Sequence, residues 1–326
     1  MGRVAVVFTG GTISMTTDPR AGGNVPTLGA ADLLALAPGI EDVAELRPID
    51  LGRTPASHFR FADLLGIADV VRTELADPSI DGAVIVQGTD TIEETSFLFD
   101  LVLDSPKPVV VTGAMRSASE PGYDGPANLT DAVRCAVDPG LDAAGAVVVL
   151  AGTIHAADDV AKTHTSSLTT FQSPNTGPLG VIDGDRVAVG RIRRARRRVR
   201  TTTAAERVHL ITAVVGMDGT LVDAVRVAGA DGFVIAATGA GNTSASLLEA
   251  ATRVMADGIP VVLASRCGAG RAGTAYAFPG GGATWVRAGA LLAGSLGGPK
   301  ARVALALGLG AGLARHELAE LLADPW

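Results

Sequence analysis

Seven short apolar runs punctuate this chain, at residues 4–8, 83–86, 108–112, 146–150, 208–215, 233–237 and 260–264. They are continuous rather than alternating, and a strand that reads this way is buried on both faces. Segments of helical character separate most of them, at 30–36, 61–75, 91–103 and 244–257. Strand–helix–strand alternation predicts an α/β fold built on a parallel sheet with right-handed crossovers. With 326 residues the chain can bury a large core in one or two domains. Aromatic residues are only 4% of it, so small aliphatic side chains must do the packing.

One segment interrupts the pattern. Arg191-Ile192-Arg193-Arg194-Ala195-Arg196-Arg197-Arg198-Val199-Arg200 contains seven arginines in ten residues, and Thr201-Thr202-Thr203 follow before the strand pattern restarts. This predicts a larger N-terminal domain over 1–190, a linker over 191–206 and a smaller C-terminal α/β domain over 207–326. The arginines read as a solvated connector paired with acidic surface, or as a patch for RNA or an acidic partner. No aromatics are interleaved, which favours the connector. The net charge of −7 also argues against general nucleic-acid binding.

The two cysteines, Cys135 and Cys267, are far apart and form no CxxC pair, so both are expected as free buried thiols in a reducing compartment. Met1-Gly2-Arg3-Val4 leads straight into the first run and leaves no room for a signal peptide. The Gly-rich stretch 303–314 is too short for a membrane span and ends in charge. A soluble, cytoplasmic protein is expected, with no membrane partner.

Two threonine-bearing turns follow two of the runs: Thr9-Gly10-Gly11-Thr12-Ile13 and Gln87-Gly88-Thr89-Asp90-Thr91. In an open α/β sheet the strand ends form the edge where ligands bind. Two glycines before Thr12 remove Cβ clashes, so a tight turn can present its hydroxyl and neighbouring N–H groups. The same pattern also suits a purely structural turn. The P-loop lysine is absent and no GxGxxG is formed, so a phosphate cradle is not indicated. Asp90 reads equally as a helix N-cap, since Thr91-Ile92-Glu93-Glu94 places a hydroxyl and carboxylates in a first helical turn. Lys162, in Asp159-Val160-Ala161-Lys162-Thr163-His164, reads as a surface cation unless it is buried beside Asp90, where it could take a proton from a threonine hydroxyl. The five histidines, His58, His155, His164, His209 and His316, show no HExxH or other ligand spacing, so no metal and no cofactor is expected.

The order of these motifs carries more than any one of them. Thr9–Ile13 and Gly88–Thr91 are followed by Gly113-Ala114-Met115-Arg116, Asp124-Gly125-Pro126-Ala127-Asn128-Leu129, the Lys162 segment, Gly239-Ala240-Gly241-Asn242 and Pro299-Lys300-Ala301-Arg302-Val303. The set, spanning about residues 4–310, resembles the bacterial-type L-asparaginase family. That resemblance implies a parallel-sheet N-terminal domain, a flavodoxin-like C-terminal domain and hydrolysis of a small amino acid amide. Thr12, next to Gly11, matches the acyl-forming threonine. Thr89 matches the second active-site threonine, and Asp90 the carboxylate that holds the substrate's α-ammonium. Lys162 matches the lysine that completes a buried proton-handling group with Thr89 and Asp90. Ser57 matches the serine that binds the α-carboxylate, with His58 at the adjoining contact. Ala114 matches a residue whose carbonyl faces the leaving amide. Asn242 matches one that reaches a neighbouring subunit's site, which implies self-association as a homotetramer, a dimer of dimers.

Two departures stand out. The family's mobile loop after the first threonine carries a tyrosine, but here residues 14–28 contain none; the chain's tyrosines are Tyr123 and Tyr276. Thr16 and Thr17 are the loop's candidates for orienting a water. Better-known members also donate a C-terminal glutamate to the α-ammonium, but residues 258–316 contain no Asp or Glu. That shifts ammonium binding onto Asp90 and predicts weakened or altered substrate affinity. Beside asparaginase activity, three readings stay open: a glutaminase or mixed glutaminase-asparaginase, a tRNA-dependent amidotransferase subunit, and a weakly catalytic amino-acid-binding protein.

Overall fold

The computed structural model describes residues 1–191, 193 and 196–323. Ile192, Arg194 and Ala195 of the arginine run lie outside the described residues, as do 324–326. The chain divides into two compact units, Met1–Arg196 and Arg197–Trp326.

The first unit is built on an eight-stranded sheet. Its order is Arg186–Val189, Gly180–Asp183, Thr153–Ala156, Ala146–Leu150, Val109–Thr112, Gly82–Val86, Gly2–Phe8 and Ala44–Asp50. The five strands from Ala146–Leu150 to Ala44–Asp50 run parallel, as their continuous apolar runs predict. The other three are antiparallel, so the sheet is mixed rather than wholly parallel. The switch is a tight hairpin through Ala151 and Gly152, both with positive φ (50° and 69°), the geometry that lets two residues reverse a strand. Val6, Val84, Val110 and Val147 face one side of the sheet and cluster with Leu129 and Val133 of helix Gly125–Ala136. Helices Phe61–Ala76 and Ile92–Val102 cover the opposite side. Both faces are therefore dry, and the loops at the strands' carboxyl ends are left to carry chemistry.

The second unit has its own parallel sheet, Val208–Thr212, Gly232–Ala237, Val261–Ser265 and Leu291–Gly297 in sequential order. Phe233, Ile235, Leu263 and Trp285 form a core with Leu247 and Val254 of helix Ala245–Ala256. Helix Gly298–Gly310 lies on the other face, where Gly298 sits so close to Leu210 that a methyl there would approach it to 2.8 Å. Among the described residues no helix is long and apolar enough to cross a membrane.

Two arginines of the run, Arg193 and Arg196, depart from the solvated surface their composition predicts. The Arg193 side chain is only 6% exposed and bridges Asp100 and Asp158, themselves 1% and 7% exposed. Arg196 adds a second cation on Asp100 at 3.0 Å and caps the carbonyls of Asp100 and Leu103, at the end of helix Ile92–Val102. Arg191 bonds Thr176 and the Gly177 carbonyl. Burial works against the Arg193 charge, but Asp100 and Asp158 outweigh it and hold its pKa above the ordinary value. Arg193 and Arg196 are internal counter-ions, whereas Arg198 and Arg200 are exposed, and the carboxylates the first two serve are too distant in sequence for composition to reveal them.

Cys135 is a free buried thiol, which burial pushes up to about 12 and so leaves unreactive at neutral pH. Cys267 is free but exposed, contrary to expectation, because it follows the end of strand Val261–Ser265 and lies outside the core.

Candidate active site

The two threonine turns are packed directly against each other. Gly10 and Gly11 both take positive φ, 106° and 98°, which an L side chain rarely adopts. A methyl on Gly11 would lie 2.2 Å from the Gly88 nitrogen, so only glycine allows this approach. Thr9 locks the contact further back: its N–H and its hydroxyl both donate to the Val86 carbonyl, at 2.9 and 3.0 Å. The chain then enters the short 3-10 turn Thr12–Ser14, with Thr12 partly exposed and Ile13 and Ser14 buried. A Ser14 hydroxyl bond back to the Gly11 carbonyl, 2.8 Å, closes the turn.

The second turn, Thr89–Thr91, leads straight into helix Ile92–Val102. Thr91 stands at the N-cap of that helix but makes no side-chain cap; its hydroxyl donates to the Ala56 carbonyl, at 3.3 Å. Asp90 is not the N-cap. Its carboxylate accepts from Lys162 Nζ at 2.7 Å, and the same ammonium donates to Thr89 Oγ1 at 3.0 Å. A tight two-residue ladder, Ala161–Lys162 against Phe171–Gln172, presents the lysine, and Glu93 accepts from its backbone N–H at 2.9 Å. The group is not buried as a whole. Thr89 is buried and the Lys162 side chain is 14% exposed, but the Asp90 side chain is 75% exposed. Thr89 and Lys162 thus lie largely within the wall, whereas the Asp90 side chain faces outward.

Ser57 and His58 sit on the 3-10 turn Ala56–His58, both exposed. Ala56 abuts Gly88, where a methyl would come within 2.9 Å of the Ala56 Cβ, so this turn borders the Thr89 turn. Ala114 is buried just past strand Val109–Thr112. Its neighbour Gly113 presses on the Gln87 carbonyl and the Thr89 methyl, where an added Cβ would lie at 2.4 and 3.2 Å. Gly11, Thr12, Ser57, His58, Thr89, Asp90, Ala114 and Lys162 thus gather at one edge of the first sheet. Asn242 does not belong to this unit. It closes a turn with Thr238 in the second unit, where their backbones exchange bonds of 2.9 and 3.0 Å.

Several supporting residues have roles that the sequence did not assign, although Gln87, Asp124 and Asn128 lie within its motifs. Gln87 is fully buried, accepts from Thr95 at 2.9 Å and stiffens the second turn. Asp124 accepts from the N–H groups of Met115 and Arg116, and Asn128 donates to both Asp124 and the Gly113 carbonyl, which fixes the Ala114 turn. Tyr123 donates to the Ile13 carbonyl at 2.6 Å. His155 bonds Ser173, beside the Lys162 ladder, and burial pulls its pKa down to about 4, so it is neutral and structural. Residues 14–28 form a hairpin, Met15–Asp18 against Gly23–Pro26. The Thr16 and Thr17 hydroxyls are engaged within it, with Thr27 and Asn24 at 2.9 Å each. Among the described residues no group of three or more His, Cys, Asp or Glu could hold a metal ion.

Comparison with known proteins shows the family and the fold. The family model "Asparaginase, N-terminal" matches residues 3–194, and "Glutaminase/Asparaginase C-terminal domain" matches residues 207–322. A protein of Deinococcus radiodurans named "Probable L-asparaginase" is 38% identical over 322 residues, 97% of this chain and 95% of its own. A Methanosphaera stadtmanae protein named as a glutamyl-tRNA(Gln) amidotransferase component is 30% identical, covering 82% of this chain but 63% of its own. A solved structure, "Probable Cytoplasmic L-asparaginase from Campylobacter jejuni", superposes with a TM-score of 0.88 and 28% identity over 99% of each chain. The chain belongs to the asparaginase family and carries both the N-terminal and the C-terminal domain by which that family is defined.

Proposed function

We propose that the chain hydrolyses L-asparagine to L-aspartate and ammonia through an acyl-enzyme on Thr12. One observation carries this reading: Lys162 bridges Thr89 and Asp90 in a turn that Gly11 and Gly88 press against the Thr12 turn. Asp90 and Ser57 supply an anion and a hydroxyl for the two ends of a zwitterion, which leaves the side-chain amide to meet Thr12. The Thr12 oxygen attacks the amide carbon, the C–N bond breaks, and the nitrogen leaves as ammonia after gaining a proton. Water then cleaves the β-aspartyl ester, releasing aspartate and restoring the Thr12 hydroxyl. With Lys162 donating to Thr89, the Thr89 hydroxyl hydrogen is free to face the reacting atoms, so the triplet can pass a proton to and from them. In this reading the backbone N–H groups of the glycine turns receive the developing oxyanion.

Relatives named L-asparaginase support the amidohydrolase reading. The amidotransferase relative keeps the ammonia-supplying alternative in view, but the burial of Arg193 and Arg196 removes those two cations from any RNA surface. A cytoplasmic location and a homotetramer in which Asn242 completes a neighbour's site are parts of the same reading. The test is ammonia release from asparagine and from glutamine. A pocket separates substrates differing by one methylene by about 1–3 kcal/mol, so asparagine should lead by on the order of 10- to 100-fold in kcat/KM. Equal or faster release from glutamine contradicts the substrate assignment; no release from either contradicts the activity.

A further inference from the structure

We infer that Tyr123 is a positioning residue for the Thr12 nucleophile. The inference rests on the reading of Thr12 above and adds a group 110 positions away that holds the Thr12 turn in line. The Thr12–Ser14 turn needs such a group. Two glycines with positive φ precede it, and glycine is the residue that restrains direction least. After it, the Ser14 carbonyl is fixed by the N–H groups of Thr27 and Leu28, at 2.9 and 3.0 Å. Between the flexible entry and the fixed exit lies the Ile13 carbonyl, one residue from Thr12, and the Tyr123 phenol donates to it at 2.6 Å. Rotation of the Ile13–Ser14 peptide, which would let the turn that carries Thr12 shift, breaks that bond.

Tyr123 is itself rigidly held. Its ring lies over Gly125, where a Cβ would come to 2.4 and 2.5 Å from two of the ring carbons. The ring also packs against the main core of the first unit. Asp124, the next residue, is tied to Met115, Arg116 and Asn128, and Asn128 also holds the Gly113 carbonyl. One rigid block therefore places both the Ala114 turn and the phenol. The same stretch reaches the hairpin that follows Thr12: the Ala118 N–H donates to the Met15 carbonyl and the Thr17 N–H to Ser119 Oγ, each at 3.0 Å. Burial, with Asp124 adding to it, raises the phenol's pKa, so the donor hydrogen is kept across the working pH range.

Tyr123→Phe keeps the ring and removes only the donor. A purely structural bond costs stability alone, whereas a positioning bond costs the acylation step. The expected result is a fall of about tenfold in kcat and in the pre-steady-state burst of ammonia, the size of one lost hydrogen bond acting in the transition state. KM for asparagine should stay within about twofold, because Asp90 and Ser57 are untouched. Val133→Ala loosens helix Gly125–Ala136, which directly follows Tyr123 and Asp124, without touching the Thr12 turn and shows how far lost stability alone moves the rate. A Tyr123→Phe burst equal to wild type, or reduced no more than in Val133→Ala, overturns the inference. Thr12→Ala keeps the two levels apart. If it is inactive while Tyr123→Phe is normal, only the positioning role falls; if it turns over normally, the nucleophile reading beneath it falls.

Discussion

In the proposed reaction Lys162 is the side chain on which the chemistry turns. Its backbone is held by Glu93, its ammonium by Thr89 and Asp90, and its stem by a wall that leaves 14% of the side chain exposed. Removing the ammonium while keeping the stem takes from Thr89 its donor and from Asp90 its counter-charge. Lys162→Met is therefore expected to lower kcat by on the order of 100- to 10,000-fold, the usual share of a positioned proton-transfer group, with the fold intact by circular dichroism. Lys162→Arg should not restore it, since a planar guanidinium cannot reproduce a point donor shared between a hydroxyl and a carboxylate. Activity retained in Lys162→Met would remove the lysine from the mechanism. At this scale the sequence was legible where a residue sits in a strand-end turn, as Thr12, Thr89 and Asp90 do. Tyr123 and Glu93 were not, because nothing local distinguishes a phenol or a helix-start carboxylate that reaches a distant backbone group.

Among the elements, legibility followed burial. Gly82–Val86, Ala146–Leu150 and Val261–Ser265 are apolar on both faces and announce themselves. Ala44–Asp50 does not, because it is the sheet's edge strand: it carries Glu45, Arg47 and Asp50, and Pro48 is tolerable there since an edge has N–H positions with no ladder partner. Helix Gly298–Gly310 carries Lys300 and Arg302 near its start, but beyond them it is apolar on all sides and has no polar stripe to reveal its period. The arginine run failed for a different reason: charge reads as solvated unless its counter-ions are known, and Asp100 lies 93 positions before Arg193. That buried cluster gives a sharp expectation. Arg193→Met takes one of the two guanidinium groups from Asp100 and removes from Asp158 the one it meets at 2.7 Å, so stability should fall by about 3–5 kcal/mol, seen as a lower urea midpoint. An unchanged midpoint would mean that the guanidinium contributes nothing to the first unit. Asp158 and Asp159 directly precede the segment that delivers Lys162, and Asp159 binds Asn175 and Thr176, so this cluster also braces the chain on its way to the site.

At the scale of the whole molecule, two units each have their own sheet and core, and the proposed reaction lies at the carboxyl edge of the first sheet. The sequence carried that much because order and spacing of motifs survive where single motifs are ambiguous. It did not carry the hairpin at Ala151-Gly152 that turns the parallel sheet mixed, or the packing of Gly11 on Gly88 that joins the two threonine turns into one centre. Everything proposed for that centre depends on a covalent bond at Thr12. The direct measurement is acid quenching of the protein during turnover of asparagine, followed by peptide mass spectrometry. The account predicts an aspartyl ester on the peptide containing Thr12, on that residue, and its loss together with ammonia release in Thr12→Ala by on the order of a thousandfold or more. An ester on Thr89 instead, or undiminished turnover in Thr12→Ala, would contradict it.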